Sequence, residues 1–325
     1  MMEAGHLSGW TPIRVFWRQS RPQVDWILLE EKRFTEPFFE QTTGQAMHHP
    51  FNQLFRRQTP IEALLDLESI SQGIAPSGFI FHMSRCGSTL ISQMLAALPS
   101  NIVISEAPPI DTILRAHLRD PAITDDERLA WFRAMLNALG QRRHATESRL
   151  FIKFHAWQTL DLPLIRRAFP DVPWIFVYRD PLEVMVSHER NRGGQLLPGS
   201  VRPALLGLDI SALGQMTLDE YGARVLALFC DAALRNYESG NGLFVNYRQL
   251  PESVFSSLSD FFKLSYNADE IERMRLASRF DAKTPTLTFK DDTEEKRLEA
   301  TNALRRLADQ WVVPLYEKLI ARSTC

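Results

Sequence analysis

The chain has 325 residues, 45% of them hydrophobic, which is enough for one large α/β domain with an appendage. Its formal charge of −2 argues against nucleic acid or an anionic membrane as a general partner. The three cysteines are an odd number and do not suit a disulfide framework, and no apolar run approaches the roughly 18 residues of a membrane span. The N-terminus shows no secretory signal pattern. These features predict a protein of a reducing compartment with no membrane segment.

The first 75 residues carry aromatic side chains in two groups, at 10–26 and 34–55, and match no motif. We expect residues 1–75 to form an N-terminal appendage, which either packs on the main sheet or covers a substrate as a lid. Thr59 and Glu62 have the spacing of a capping box, which predicts that a helix begins there.

Residues 78–98 predict a buried strand, a turn of small residues and an amphipathic helix. The turn amides and the positive end of the helix favour an anionic oxygen cluster. Arg85 is the basic residue of this turn, and the lysine of an ordinary NTP-binding loop is missing. The alternative is a tight turn that uses Gly87 only for its backbone freedom. The candidate phosphate ligands are Ser84, Arg85, Cys86, Gly87, Ser88 and Thr89.

Basic side chains end two further predicted strands. Lys153 and His155 lie two apart at the end of one strand, so they point to the same side. Arg179 ends the next, before a helix with Asp180 as N-cap and Pro181 at its first position. Ligands of open parallel sheets bind at the carboxyl ends of the strands, so we expect these groups to converge with the turn at 84–89.

Helices and strands alternate along the rest of the chain. Apolar strands near positions 79, 102, 151, 175 and 244 lie between helical runs, which predicts a parallel sheet covered by helices on both faces. Thr124 and Thr217 each begin a capping box. The pattern at 294–320 predicts a long helix that Pro314 breaks or kinks.

Three elements in this order resemble the sulfotransferase family, whose members take a sulfuryl group from 3′-phosphoadenosine 5′-phosphosulfate (PAPS). The turn at 84–90 resembles the family's 5′-phosphosulfate loop, and Arg179 with Ser187 resembles the element that holds the donor's 3′-phosphate. Lys153-Phe154-His155 resembles the Lys-x-His of the branch that acts on small molecules. The resemblance covers about residues 78–265. It implies a three-layer, P-loop-like α/β domain over 76–325.

The resemblance also implies roles for residues. PAPS is the expected donor, a hydroxyl or less favourably an amine of a small-molecule or peptide acceptor is the target, and no metal is expected. Lys153 and Arg85 would stabilise developing charge. His155 is the expected base, and Glu106, which follows a short strand, is the second candidate. Family members of the secretory pathway usually carry a membrane anchor, so a cytoplasmic location is expected.

Several alternatives remain open at this stage. A phosphotransferase on the same scaffold is disfavoured by Arg85 and by the absence of a clear magnesium site, and a non-catalytic nucleotide-binding module has no need of a base. Arg179 could simply pair with Asp180 or Glu183. The family's late basic loop has no clear match here, and the available cations are Lys283, Lys290, Lys296 and Arg297. Residues 191–214, rich in Gly and Pro, predict a loop over the site.

Overall fold

The strands and helices of the chain follow the predicted alternation closely. A computed structural model describes residues 7–200, 202–203, 210–284, 286–288 and 292–323. The strands are β1 Trp10–Arg18, β2 Arg21–Leu28, β3 Arg57–Pro60, β4 Pro76–His82, β5 Asn101–Ser105, β6 Arg149–Lys153, β7 Trp174–Tyr178 and β8 Gly242–Asn246. The α-helices are α1 Phe39–Met47, α2 Pro50–Leu54, α3 Glu62–Ile70, α4 Ser88–Ala96, α5 Pro108–Leu114, α6 Ala116–Arg119, α7 Asp125–Leu139, α8 Leu162–Ala168, α9 Pro181–Arg190, α10 Ile210–Leu213, α11 Leu218–Tyr237, α12 Ser257–Phe261, α13 Ala268–Ser278, α14 Thr293–Glu299, α15 Asn302–Trp311 and α16 Val313–Ser323. Short 3-10 helices cover Ala156–Asp161, Gly194–Leu196, Tyr247–Gln249 and Glu252–Phe255.

Five parallel strands in the order β5-β6-β4-β7-β8 form the central sheet, which is flanked by helices. Its strands are continuous apolar runs because both faces are covered, and Phe79, Ile80, Phe151, Ile152 and Phe176 are fully buried. The predicted fold class, a parallel α/β sheet covered by helices, is confirmed. The chain after β4 moves first to one side of that strand and later to the other. The carboxyl end of β4 is therefore the switch point at which open sheets place ligands.

An antiparallel sheet, β1-β2-β3, forms most of the N-terminal appendage. The buried carboxylate of Asp25 on β2 joins its strands, because it accepts hydrogen bonds from Arg14 at 2.6 Å, Arg56 at 2.6 Å and Gln58 at 2.8 Å. β1 contacts α5 and α7, so the appendage packs on the main domain. The appendage also reaches across to α4, where Arg33 donates to the carbonyl of Leu98 at 2.6 Å.

The capping box predicted at Thr59 is wrong. Thr59 lies in β3, where its hydroxyl accepts a hydrogen bond from Trp26 Nε1 at 2.9 Å, and α3 begins at Glu62 after Ile61. Pairing with β2 holds this segment extended, so tertiary contacts override the local capping signal. The box at Thr124 is confirmed, with both of its hydrogen bonds to Glu127 present.

The C-terminal helical pattern is divided into three helices rather than one. The first break falls at Ala300 and Thr301, and Thr301 caps α15 by accepting from the amide of Leu304 at 3.1 Å. The second falls at Val312. Pro314 is the second residue of α16, a first-turn position where proline is tolerated. Because proline has no amide hydrogen to continue a preceding helix, the break just before it confirms the prediction for Pro314, whereas the break at Ala300 and Thr301 was not predicted. Within the described ranges, none of the helices has the length and apolar character that crossing a membrane requires. Cys325 and Lys290 lie outside those ranges.

Candidate active site

A cavity of about 360 Å³ lies at the carboxyl ends of the central strands. It brings together the turn at 84–89 (the phosphate turn) and Arg179 at the end of β7. Lys283 and Lys296, late cations that the sequence left unassigned, line the same cavity. Its lining residues are Phe38, His82, Ser84, Arg85, Cys86, Gly87, Ser88, Thr89, Leu90, Glu106, Ala156, Trp157, Arg179, Ser187, Gly193, Gln195, Tyr247, Phe280, Asp281, Ala282, Lys283, Asp292 and Lys296. Every residue predicted for this site except Lys153 and His155 is in that set. Both of those side chains contact the carboxylate of Glu106, which lines the cavity.

The turn between β4 and α4 has the backbone of an anion-binding nest. Ser84, Arg85 and Gly87 have positive φ angles of 82°, 51° and 89°, and α4 begins directly after Gly87. Amides that follow such a turn point into a concavity, and the first turn of a helix has no intrahelical acceptors for its amides. A β-carbon at Gly87 would lie 2.7 Å from Leu250 and 2.8 Å from Tyr247, so the turn requires glycine both for its backbone angle and for space.

A buried histidine fixes the Ser84 hydroxyl of this turn. Burial, reinforced by nearby Arg85, lowers the pKa of His188 to about 3, so its ring is neutral. Nδ1 of that ring accepts from the amide of Gly193 at 3.2 Å, which leaves Nε2–H to donate to Ser84 Oγ at 3.1 Å. Gln195 Nε2 donates to the same oxygen at 2.9 Å. With two donors on its oxygen, the Ser84 hydroxyl can direct its own proton into the cavity.

Lys153 is a deeply buried cation of the site, with a side chain only 1% exposed. Its ammonium donates to Glu106 Oε1 at 2.6 Å and to Thr89 Oγ1 at 3.1 Å, which ties the end of β6 to the first turn of α4. The ring of Phe38, from the N-terminal appendage, lies 5.0 Å from the ammonium. The sequence marked Phe38 only as a member of the aromatic group at 34–55, which matches no motif.

Glu106 is the centre of a charged cluster at the end of β5. Its φ of +56° is unusual for a non-glycine residue. Its backbone amide donates a hydrogen bond to the Lys153 carbonyl at 2.8 Å. The carboxylate lies 3.3 Å from His155 Nδ1 and 3.5 Å from His82 Nε2. Although burial opposes ionisation, the charge of Lys153 and hydrogen bonds from the two histidines hold the pKa of Glu106 well below its usual range. Glu106 is therefore a carboxylate paired with lysine, not with arginine.

His155 stacks on an aromatic ring outside the phosphate turn. Its ring lies 4.2 Å from that of Trp157 with an angle of 9° between the planes. Trp157 in turn donates from Nε1 to Asp111 Oδ1 at 2.6 Å. His82 serves a structural role, since one ring nitrogen lies 3.1 Å from the Phe154 carbonyl and the other accepts from the amide of Ser84 at 3.0 Å. The imidazole of His155 is thus held by a carboxylate on its edge and an indole on its face.

Arg179 is buried at the start of α9, on the wall of the cavity that also carries Ser187. It forms an ion pair with Glu183 at 2.7 Å, which was one of the alternatives left open by the sequence. Its guanidinium carbon lies 4.0 Å from the centre of the Tyr247 ring. A second carboxylate, that of Asp292, lies 3.2 Å from Arg179 Nη2. Asp180 caps α9 through the amide of Leu182 at 3.0 Å, as predicted.

Two lysines of the late segment also line the cavity. Lys296 on α14 is buried and lies 2.7 Å from Asp292, close to Arg179. Burial, followed by the charges of Arg85 and Lys153, lowers the pKa of Lys283 to about 8. Arg297, the remaining described candidate, instead pairs with Glu183 at 3.0 Å. The sequence offered these cations only as unplaced possibilities.

Comparisons with known proteins point to one family. The model of the family described as "Sulfotransferase family" matches residues 76–268. Among solved structures, the chain is similar to a sulfotransferase from Alicyclobacillus acidocaldarius, with 14% identity, 77% of this chain and 96% of that chain covered, and a TM-score of 0.46. The chain is also similar to mouse sulfotransferase SULT7A1 complexed with PAP, with 14% identity, 80% of this chain and 90% of that chain covered, and a TM-score of 0.43. The sulfotransferase domain of the Synechococcus PCC 7002 olefin synthase shares 18% identity, with 74% of this chain and 89% of that chain covered and a TM-score of 0.40. No curated protein sequence matches the chain.

Proposed function

Because the chain belongs to the sulfotransferase family, we propose that it transfers a sulfuryl group from PAPS to a hydroxyl, or less favourably an amine, of a small acceptor. One observation carries this proposal. The phosphate turn and the pair Arg179 and Ser187, which lie about a hundred residues apart in sequence, line the same cavity of about 360 Å³. A donor with phosphate groups at both ends of its nucleoside requires two such anion sites facing one space.

In this proposal the 5′-phosphosulfate lies on the turn at 84–89. The amides there, the Ser84 hydroxyl and the Arg85 guanidinium would bind its oxygens, and Lys153 would meet the charge that develops on the leaving phosphate oxygen. Arg179, Ser187 and Lys296 would bind the 3′-phosphate. Lys296 would therefore be the late basic contact, for which the sequence shows no family pattern. The transfer breaks the bond from sulfur to the bridging phosphate oxygen and forms a bond from sulfur to the acceptor oxygen.

We assign the acceptor proton to His155, with Glu106 as its positioning residue. A carboxylate 3.3 Å from Nδ1 favours the tautomer with hydrogen on that nitrogen, which leaves Nε2 to accept the hydroxyl proton. Glu106 is the weaker candidate for the base, because its pKa is held well below the usual range and it already accepts from Lys153. The products are a sulfated acceptor, adenosine 3′,5′-bisphosphate (PAP) and a proton.

Calorimetry with PAP, adenosine 5′-phosphate and magnesium-ATP tests the donor site. We expect PAP to bind without metal and more tightly than adenosine 5′-phosphate, which has no 3′-phosphate. A preference for magnesium-ATP would instead support a phosphotransferase. Removing Arg179 alone would leave the buried Glu183 with only Arg297 as its partner. The variant is therefore Arg179→Met with Glu183→Gln, and Glu183→Gln alone is its control. The double variant should lose the preference for PAP over adenosine 5′-phosphate.

A further inference from the structure

A second cavity, of about 490 Å³, shares one wall with the first. Trp157 lines both, and its indole also stacks on His155. The second cavity has the volume of a small-molecule site. Its lining residues are Arg115, His117, Leu118, Asp125, Arg128, Trp157, Leu160, Asp161, Pro163, Leu164, Arg167, Gly199, Ser200 and Arg202.

The lining of this second cavity is basic, with four arginines against two aspartates. Asp125 is already occupied, since it pairs with Arg128 and, at 2.9 Å, with Arg167. The two remaining arginines are more available. Arg115 has only a loose contact with Asp111, at 3.6 Å, and Arg202 is exposed and forms no ion pair within the described part of the chain. Two guanidinium groups in this cavity therefore have unused capacity for an anion.

Arg115 also connects the cavity to the base. Its guanidinium lies 5.6 Å over the ring of Trp157, and the carboxylate of Asp111 contacts both, 3.6 Å from Arg115 and 2.6 Å from Trp157 Nε1. Arg115 and His155 thus both contact the ring of Trp157, so a ligand bound at Arg115 would lie about the width of one indole from His155. This distance suits an acceptor that carries its anionic group at one end and its hydroxyl at the other.

We propose that the second cavity binds the acceptor, and that the acceptor is a small organic anion, a carboxylate or a phosphate, held by Arg115 and Arg202 while its hydroxyl reaches His155. This proposal rests on the proposed function, because it assigns the substrate class for the same reaction. Guanidinium groups favour such anions through paired, charge-assisted hydrogen bonds. A neutral or cationic acceptor would leave these two guanidinium groups with no anionic partner beyond the loose contact between Arg115 and Asp111.

Asp161 is the one carboxyl in the cavity that needs an explanation, because a second negative charge would oppose an anion. Burial raises its pKa to about 7, against the opposing charges of Arg115, Arg128 and Arg202, while Asp111 also raises it. At neutral pH a substantial fraction of this carboxyl is therefore protonated and can donate a hydrogen bond to a bound anion. The carboxyl is compatible with the proposed ligand class below that pH.

The test compares phenolic acceptors that carry an anionic, a neutral or a cationic group at the other end of the molecule. Binding to the free enzyme and to the enzyme–PAP mixture is measured by calorimetry with 4-hydroxyphenylacetate, its neutral amide, tyramine and 4-hydroxybenzylphosphonate, and turnover with PAPS is measured for each. We expect one of the two anions to bind at least about 10-fold more tightly than the amide, as one charge-assisted contact allows. The carboxylate and phosphonate arms identify which anion is preferred. Equal binding of all four compounds, or a preference for tyramine, would overturn the proposal.

Variants separate the arginines from general charge effects. Arg115→Gln and Arg202→Gln should each remove most of the preference for the anion, and Arg115→Lys should retain part of it. Arg21→Gln, an exposed arginine on β2 outside the cavity, is the matched control and should change nothing. A preference that survives both glutamine variants would refute this site. If anions bind in an arginine-dependent way but PAP does not bind and no sulfation occurs, the proposed function fails while the anion site stands.

Discussion

Replacing Asp292 with asparagine should strengthen the binding of PAP. Asp292 lies 3.2 Å from Arg179 and 2.7 Å from Lys296, and so occupies the two cations to which we assign the 3′-phosphate. Glu183 supplies a further negative charge 2.7 Å from Arg179. In the donor-free protein, two carboxylates thus balance Arg179 and Lys296. A phosphate that binds there must displace Asp292 or tolerate its repulsion.

The size of this effect follows from the geometry. A phosphate on the far side of those cations would lie about 5 Å from the Asp292 carboxylate, where a unit charge is worth about 3 kcal/mol at an effective dielectric constant of about 20. The Asp292 side chain is 33% exposed, so solvent screening reduces this to about 1–2 kcal/mol. Asp292→Asn should therefore bind PAP about 5- to 30-fold more tightly.

Calorimetry at fixed salt concentration measures this change, and the ligand comparison makes it specific. Adenosine 5′-phosphate lacks the 3′-phosphate, so its affinity should change by less than about 3-fold. Glu294→Gln removes the same charge from an exposed position on α14 and is the matched control. Weaker PAP binding in Asp292→Asn would refute the reasoning, because it would mean that Asp292 orients Arg179 and Lys296 for the phosphate rather than competing with it.

Three further predictions concern the proposed base with its positioning residue, the turn and the second cavity. His155→Gln and Glu106→Gln should each lower kcat by about 10²- to 10⁴-fold with little change in the Kd for PAP, as steady-state kinetics and calorimetry would show; unchanged turnover in His155→Gln would remove it as the base. Gly87→Ala should lower the free energy of unfolding by about 1–3 kcal/mol in urea and abolish PAP binding, since φ is +89° and Tyr247 blocks the new methyl group; retained binding would contradict the role of this turn. Affinity for the preferred anionic acceptor should fall as pH rises through about 7, where Asp161 ionises, and this fall should be absent in Asp161→Asn; the same slope in both proteins would exclude Asp161 as the cause.

The sequence predicted the parts of the site that regular structure places. Apolar strands end at the same edge of a parallel sheet, so the turn at 84–89, Lys153 and Arg179 could be expected to converge. Arg179 and the turn line one cavity, and Lys153 donates a hydrogen bond to Thr89 in the turn. Phe38 and Asp292 could not be predicted, because each comes from an irregular segment whose path is fixed by packing. Thr59 shows the converse case, in which a clear local capping signal yields to pairing with a neighbouring strand.

The family match at 76–268 does not contain a complete cavity. Phe38, which precedes that segment, and Lys283, Asp292 and Lys296, which follow it, all contribute to the wall. Segments on both sides of the family match therefore contribute side chains to the first cavity. For anyone who grafts or exchanges such domains, the transferable unit extends from the appendage through α14. A cut at the boundaries of the family match would remove Lys296, one of the three residues to which we assign the 3′-phosphate.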